Sequence, residues 1–104
     1  IYGKFGKAMG TLNVQSAAGT TTGKTKLTVT PTKGESSSYV YKTGQNVSLP
    51  GYNDVCNANS GWTPWDGTAE ISAKQGDKIV VVEILTDGST AIKSGETTAT
   101  VKND

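Results

Sequence analysis

Lys78-Ile79-Val80-Val81-Val82-Glu83-Ile84-Leu85 is the most apolar run of a 104-residue chain whose hydrophobic fraction is only 34%. A short β-branched run bounded by turns reads as a strand buried on both faces, at the centre of a sheet. Lys74-Gln75-Gly76-Asp77 supplies the turn before it, and Thr86-Asp87-Gly88-Ser89 is a hairpin signal after it. Working outward, Thr90–Lys93 and Thr97–Val101 read as two further strands, split by Ser94-Gly95-Glu96. On the other side, Thr68–Ala73 alternates, with Ala69, Ile71 and Ala73 facing inward.

Earlier in the chain, Lys24–Thr30 places Thr25, Leu27 and Val29 on one face and Lys26, Thr28 and Thr30 on the other. Pro31 ends it. Ser38–Lys42 sets Tyr39 and Tyr41 against Val40, and Val47–Pro50 reads as a short pairing segment. Thr11–Gln15 is a first, edge-type strand. No helical period of useful length occurs. Turn signals recur about every 8–12 residues, which with about seven strands in ~100 residues is the pattern of an all-β, immunoglobulin-like β-sandwich. The Cys…Trp…Cys spacing of antibody domains is missing, so the likeness concerns architecture alone.

Composition removes most catalytic chemistry. The chain has no histidine, and with it go the commonest general base, the usual zinc ligand and the Ser-His-Asp and Cys-His arrangements. Cys56 is the single cysteine, with no histidine to activate it. Asp54, Asp66, Glu70, Asp77 and Glu83 could supply a carboxylate pair, but most sit in turns or on polar strand faces, where a solvated carboxylate is the ordinary outcome. Asp66-Gly67 and Asp87-Gly88 read as turns rather than calcium loops. Gly19–Thr25 lacks the glycine spacing of a phosphate loop. The expectation is a non-enzymatic protein with no cofactor and no metal.

All ten basic residues are lysine, against nine acidic ones, for a net charge of +1. Without arginine forks or a basic stripe, nucleic acid is not an expected partner. No apolar run approaches the roughly 20 residues a membrane helix needs, so no membrane contact is expected either.

Two segments depart from the strand pattern. Residues 1–10 interleave Ile1, Tyr2, Phe5 and Met9 with glycines and with Lys4 and Lys7. Glycine at that density disfavours helix and strand interiors, and the segment reads as an extended arm that either stays mobile or orders against a partner. The domain proper is then 11–104. Residues 51–67 form a long loop carrying Tyr52, Cys56, Trp62 and Trp65. Loops of that length are functional or held by their own aromatic anchors. Tyr52, Trp62 and Trp65, with Tyr39 and Tyr41 on the neighbouring strand, are candidates for stacking on a glycan or touching a protein. Buried rings would exclude the sugar platform.

The stretches Gly23–Pro31, Ser38–Lys42, Gly61–Ile71 and Gly76–Glu83 together resemble an immunoglobulin-like module of virion proteins from tailed bacteriophages of Firmicutes, of the capsid-decoration and head-fibre type. The likeness spans roughly Gly19 to Val101. It implies a virion accessory protein that docks on the major capsid protein through Ile1, Tyr2, Lys4, Phe5, Lys7 and Met9, with the capsid lattice templating any homo-oligomer. The alternative is an extracellular or cell-surface carbohydrate-binding or adhesion module, meeting a host-surface glycan through the Tyr52/Trp62/Trp65 loop.

Overall fold

A computed structural model describes residues 10–30, 37–51, 54–57, 59, 61–67, 69–86 and 88–102. The arm residues Ile1, Tyr2, Lys4, Phe5, Lys7 and Met9, and the loop residue Tyr52, lie outside the described residues.

Among the described residues there are eight strands: β1 Gly10–Thr11, β2 Asn13–Ala18, β3 Lys24–Thr30, β4 Ser37–Gly44, β5 Thr63–Trp65, β6 Ile71–Ser72, β7 Lys78–Leu85 and β8 Ala91–Thr98. They form a five-stranded sheet in the order β1-β8-β7-β4-β5 and a three-stranded sheet in the order β2-β3-β6. This is the all-β, immunoglobulin-like sandwich expected of the sequence. Every pairing is antiparallel except β1 with β8.

The apolar run is the central strand β7, flanked by β4 and β8, with Ile79 to Ile84 all buried. Its period of two splits it between two cores. Ile79 and Val81 join Leu12, Val14, Leu27, Tyr39, Trp65, Ile71, Ala99 and Val101 between the sheets. Val80, Val82 and Ile84 point to the opposite face and meet Val40, Ala91, Cys56 and Trp62. Val47, Cys56 and Trp62 therefore form a roof on the outer face of the larger sheet, which is why β7 carries no polar face. Glu83 is the exception; it is buried, with its Oε1 4.0 Å from the ammonium of Lys93 across the β7–β8 pair.

The expected face assignments in β3 and β4 are reproduced. Thr25 and Leu27 are buried, while Lys26, Thr28 and Thr30 are exposed. Thr25 is wholly buried, and its hydroxyl donates to the Ala17 carbonyl at 3.0 Å and meets Ser16 Oγ.

Four boundaries differ from the sequence reading. Thr11–Gln15 is not one strand, because the chain changes sheets at Leu12: Gly10 and Thr11 lie beside β8, and Asn13 onward pairs with β3. The arm assigned to residues 1–10 thus gives up Gly10 to the larger sheet. Val47–Pro50 forms no strand. Ala69 is exposed rather than inward, since only Ile71 and Ser72 of that stretch pair with β3. Finally, Ser94-Gly95-Glu96 does not divide two strands: β8 runs unbroken through it and pairs with β7 along its length. Gly95 is there because the backbone of Leu12 passes over it. A Cβ at that position would lie 2.2 Å from the Leu12 carbonyl oxygen.

Candidate functional site: a lateral cleft between the sheets

The alternation in β4 turns Tyr39 and Tyr41 toward the other sheet, and β5 pairs antiparallel so that Trp65 stands opposite Tyr39. Their rings are 5.4 Å apart and tilted by 41°, a geometry that adds to simple burial. The Trp65 indole Nε1 donates to the Ala69 carbonyl at 2.7 Å, and the Ala69 amide donates to Asp66 Oδ1 at 2.8 Å. These bonds hold Ala69 against Trp65 and Asp66, just ahead of β6. Gly67 (φ +92°) passes under the Tyr39 ring, where a Cβ would come within 3.2 Å of Cε2.

On this side the sandwich is open. Among the described residues β5 pairs with β4 alone, β6 with β3 alone, and neither reaches the other. The gap is a cleft of about 580 Å³ lined by Ser38, Tyr41, Trp65, Asp66, Glu70 and Ile71 among others. Pro64 lies in the edge strand β5; lacking an amide proton, it blunts that edge against strand addition.

The two carboxylates at the rim are already employed. Glu70 accepts from the Thr20 amide at 2.9 Å through Oε1 and from the Thr20 hydroxyl at 2.8 Å through Oε2. These bonds, the amide's first, hold its carboxyl below the ordinary carboxylate value. Asp66 accepts from the Ala69 amide, as above. Both carboxylates therefore tie loops together at the rim.

Of the five aromatic candidates, Tyr39, Tyr41 and Trp65 meet at this cleft, and Trp62 does not. Trp62 lies on the outer face of the sheet, in the second core. The reason is parity. Residues 63 and 65 share one face of β5, which turns residue 62 to the other. Trp62 and Trp65 are each only 7% exposed and Tyr39 only 5%, so the two tryptophans are not a pair of open rings. The two-tryptophan sugar platform is corrected accordingly. Tyr41, half-buried, is the most open of the described rings of the group. Read as a loop, residues 51–67 gave no period to apply, and the parity appears only once Thr63–Trp65 pairs with β4.

Trp62 and Cys56 are instead the anchors of the roof. Lys42 Nζ sits 4.7 Å from the centre of the Trp62 ring, a cation–π contact. The Cys56 amide donates to the Ser89 carbonyl at 2.8 Å, and the Ala91 amide donates to the Asp54 carbonyl at 2.8 Å, stitching the roof to the β7–β8 hairpin. Cys56 is buried, and burial first, then the charge of Asp54, pushes its thiol pKa up, with Lys42 opposing. A neutral, enclosed thiol is a packing group.

Among the described residues no three acidic or cysteine side chains gather as a metal site. No described helix is long and apolar enough to cross a membrane.

The sheets, cleft and roof can now be set beside known proteins. The family described as S-layer protein SbsC C-terminal domain matches residues 17–104. The chain belongs to this family. The match begins within β2 and takes in the remaining strands of both sheets, the cleft and the roof, leaving β1 outside. As an SbsC C-terminal-type domain, the chain is a structural module of a cell-surface or extracellular protein. The match says nothing of phage virions. No curated protein and no solved structure gives a significant match.

Proposed function

We propose that this domain is a non-catalytic building module of a cell-envelope surface layer, contributing a stiff β-sandwich to the assembly. The family match over residues 17–104 carries the reading. Three further features support it. The larger sheet is covered on both faces, so its central strand is held by two cores. The chain has no histidine, and its one cysteine is enclosed. The rim carboxylates Asp66 and Glu70 are engaged by backbone amides. Exposed Leu49, Val55 and Leu85 and the rim of the cleft offer surfaces to neighbours.

The virion reading rests on the sequence resemblance, with the arm as its docking device. Immunogold labelling and fractionation of the producing cells separate the two. The surface-layer reading expects the protein in the envelope or extracellular fraction. Recovery with phage particles, or in the cytosol alone, would overturn it.

A further inference from the structure

We infer that the domain is built to bear tensile load between the two points where its chain enters and leaves the sandwich, a property that goes beyond the surface-layer reading and does not depend on it. Among the described strands one pairing is parallel. β1 lies beside β8, with Gly10 opposite Lys93 and Thr11 opposite Ser94. The next amide, that of Leu12, donates to the Ser94 carbonyl at 2.8 Å and extends the ladder. The chain thus enters near the β7–β8 turn and runs alongside β8 in the same direction.

It leaves at the opposite pole. Beyond the end of β8, the Ala99 amide donates to the Asp77 carbonyl at 2.7 Å and the Ala99 carbonyl accepts from Gly76 at 3.1 Å. The Lys102 carbonyl then accepts from Gly23 at 3.0 Å, and its amide donates to the Lys24 carbonyl at 3.2 Å. Two bonds from one residue to two successive ones, with Gly23 first at φ +84°, have the form of a glycine bulge. The Thr100 amide donates to Ser16 Oγ and the Val101 amide to Gln75 Oε1, each at 2.9 Å.

A force drawing entry and exit apart therefore pulls β1 toward one pole and β8 toward the other. In side-by-side parallel strands that force runs along the strands and across their hydrogen bonds. The bonds must fail together, whereas a hairpin opened from its end loses them one by one. Sliding is resisted sterically as well. Leu12 and Val14, which follow β1 directly, are buried between the sheets. The Leu12 backbone is seated so closely over Gly95 that a single methyl group would not fit.

The test is single-molecule force spectroscopy on the whole chain in two attachment geometries, each variant first checked for native secondary structure by circular dichroism. In one, load enters at the two chain ends. In the other, it enters at a cysteine introduced by Lys74→Cys and at the C-terminal end. Lys74 is exposed, and its turn bonds to the exit segment through Gln75 and Gly76, so both points lie at one pole and the β7–β8 pair opens like a zipper. The clamp expects rupture in one step at a clearly higher force in the end-to-end geometry. Equal or lower force end-to-end would overturn it.

A second comparison isolates the ladder. Leu12→Pro removes the amide, while Leu12→Ala removes only the side chain. At constant force the proline variant should rupture about fivefold faster than the alanine variant, the factor one net hydrogen bond of ordinary strength carries. Equal rates would also overturn the clamp, and if the proline variant does not fold, the two geometries still decide. A soft domain found in the envelope would sink the clamp and leave the surface reading. A stiff one found elsewhere would do the reverse.

Discussion

Cys56 shows how position decides what a side chain can do. Its thiol is enclosed beneath the roof, and burial with the charge of Asp54 raises its pKa in the folded state. A group whose folded pKa lies above its unfolded value contributes stability that is complete below the unfolded pKa, about 8.5 for a thiol. That contribution is lost as pH rises through the folded value. The native protein should thus resist thiol reagents at neutral pH, react fully once denatured, and lose stability as pH climbs past the ordinary thiol range. Titration with a chromogenic disulfide, with and without denaturant, checks the first two, and urea melts across alkaline pH check the third. Gly95 teaches the complementary lesson. Adding one methyl group there would set a carbon 2.2 Å from the Leu12 carbonyl oxygen and 2.9 Å from Val14 Cγ2. Gly95→Ala should cost about 1–3 kcal/mol, as overpacking does, measured by chemical denaturation. Neither neighbour is adjacent in sequence, so the glycine reads locally as a turn and only the fold shows it to be a seat for another strand.

At the scale of elements, the 51–67 loop changes meaning most. Its loss of periodicity made it a loop and its rings made it a contact site. In place, its Cys56 and Trp62, with Val47 ahead of it, form a roof over Val80, Val82 and Ile84. Trp62→Ala should destabilise the domain by about 3–5 kcal/mol, the range for a large buried aromatic. It should also bind a hydrophobic dye at the uncovered sheet and expose the roof to limited proteolysis. Unchanged stability and protection would show that the backbone bonds to Ser89 and Ala91 hold the roof alone. The alternating strands β3 and β4 were legible because burial on one face of a pleated sheet imposes a period of two, and β7 because a short β-branched apolar run suits a strand buried on both faces. The short strands β1, β5 and β6 carry too few residues to show a period. Their existence depends on partners far along the chain. The cleft inherits that limit: Tyr39, Tyr41, Trp65 and Glu70 were all named as candidates of one kind or another, but nothing local says that β5 and β6 leave a gap between them.

At the scale of the whole molecule, the domain is asymmetric in a useful way. One flank is tied, with β2 passing under β8 and the exit segment bonded to the β2–β3 turn. The other flank, between β5 and β6, is open as the cleft. A module of a surface layer gains from both, since the tied flank carries load and the open one can receive a neighbour. The force and localisation experiments address this scale, because neither property belongs to any one residue.

The sequence by itself determined the all-β class through strand alternation, and the centre of the larger sheet through its one unbroken apolar run. Its lack of histidine narrowed the chemistry. Tertiary structure alone decided which sheet each strand joins, on which face each tryptophan lies, and that Ser94-Gly95-Glu96 continues a strand rather than ending one. The physical reason is range. Periodicity records the average environment along a strand, whereas sheet membership and close backbone contact are set by partners such as Leu12 and Gly95, which lie 83 positions apart in the chain.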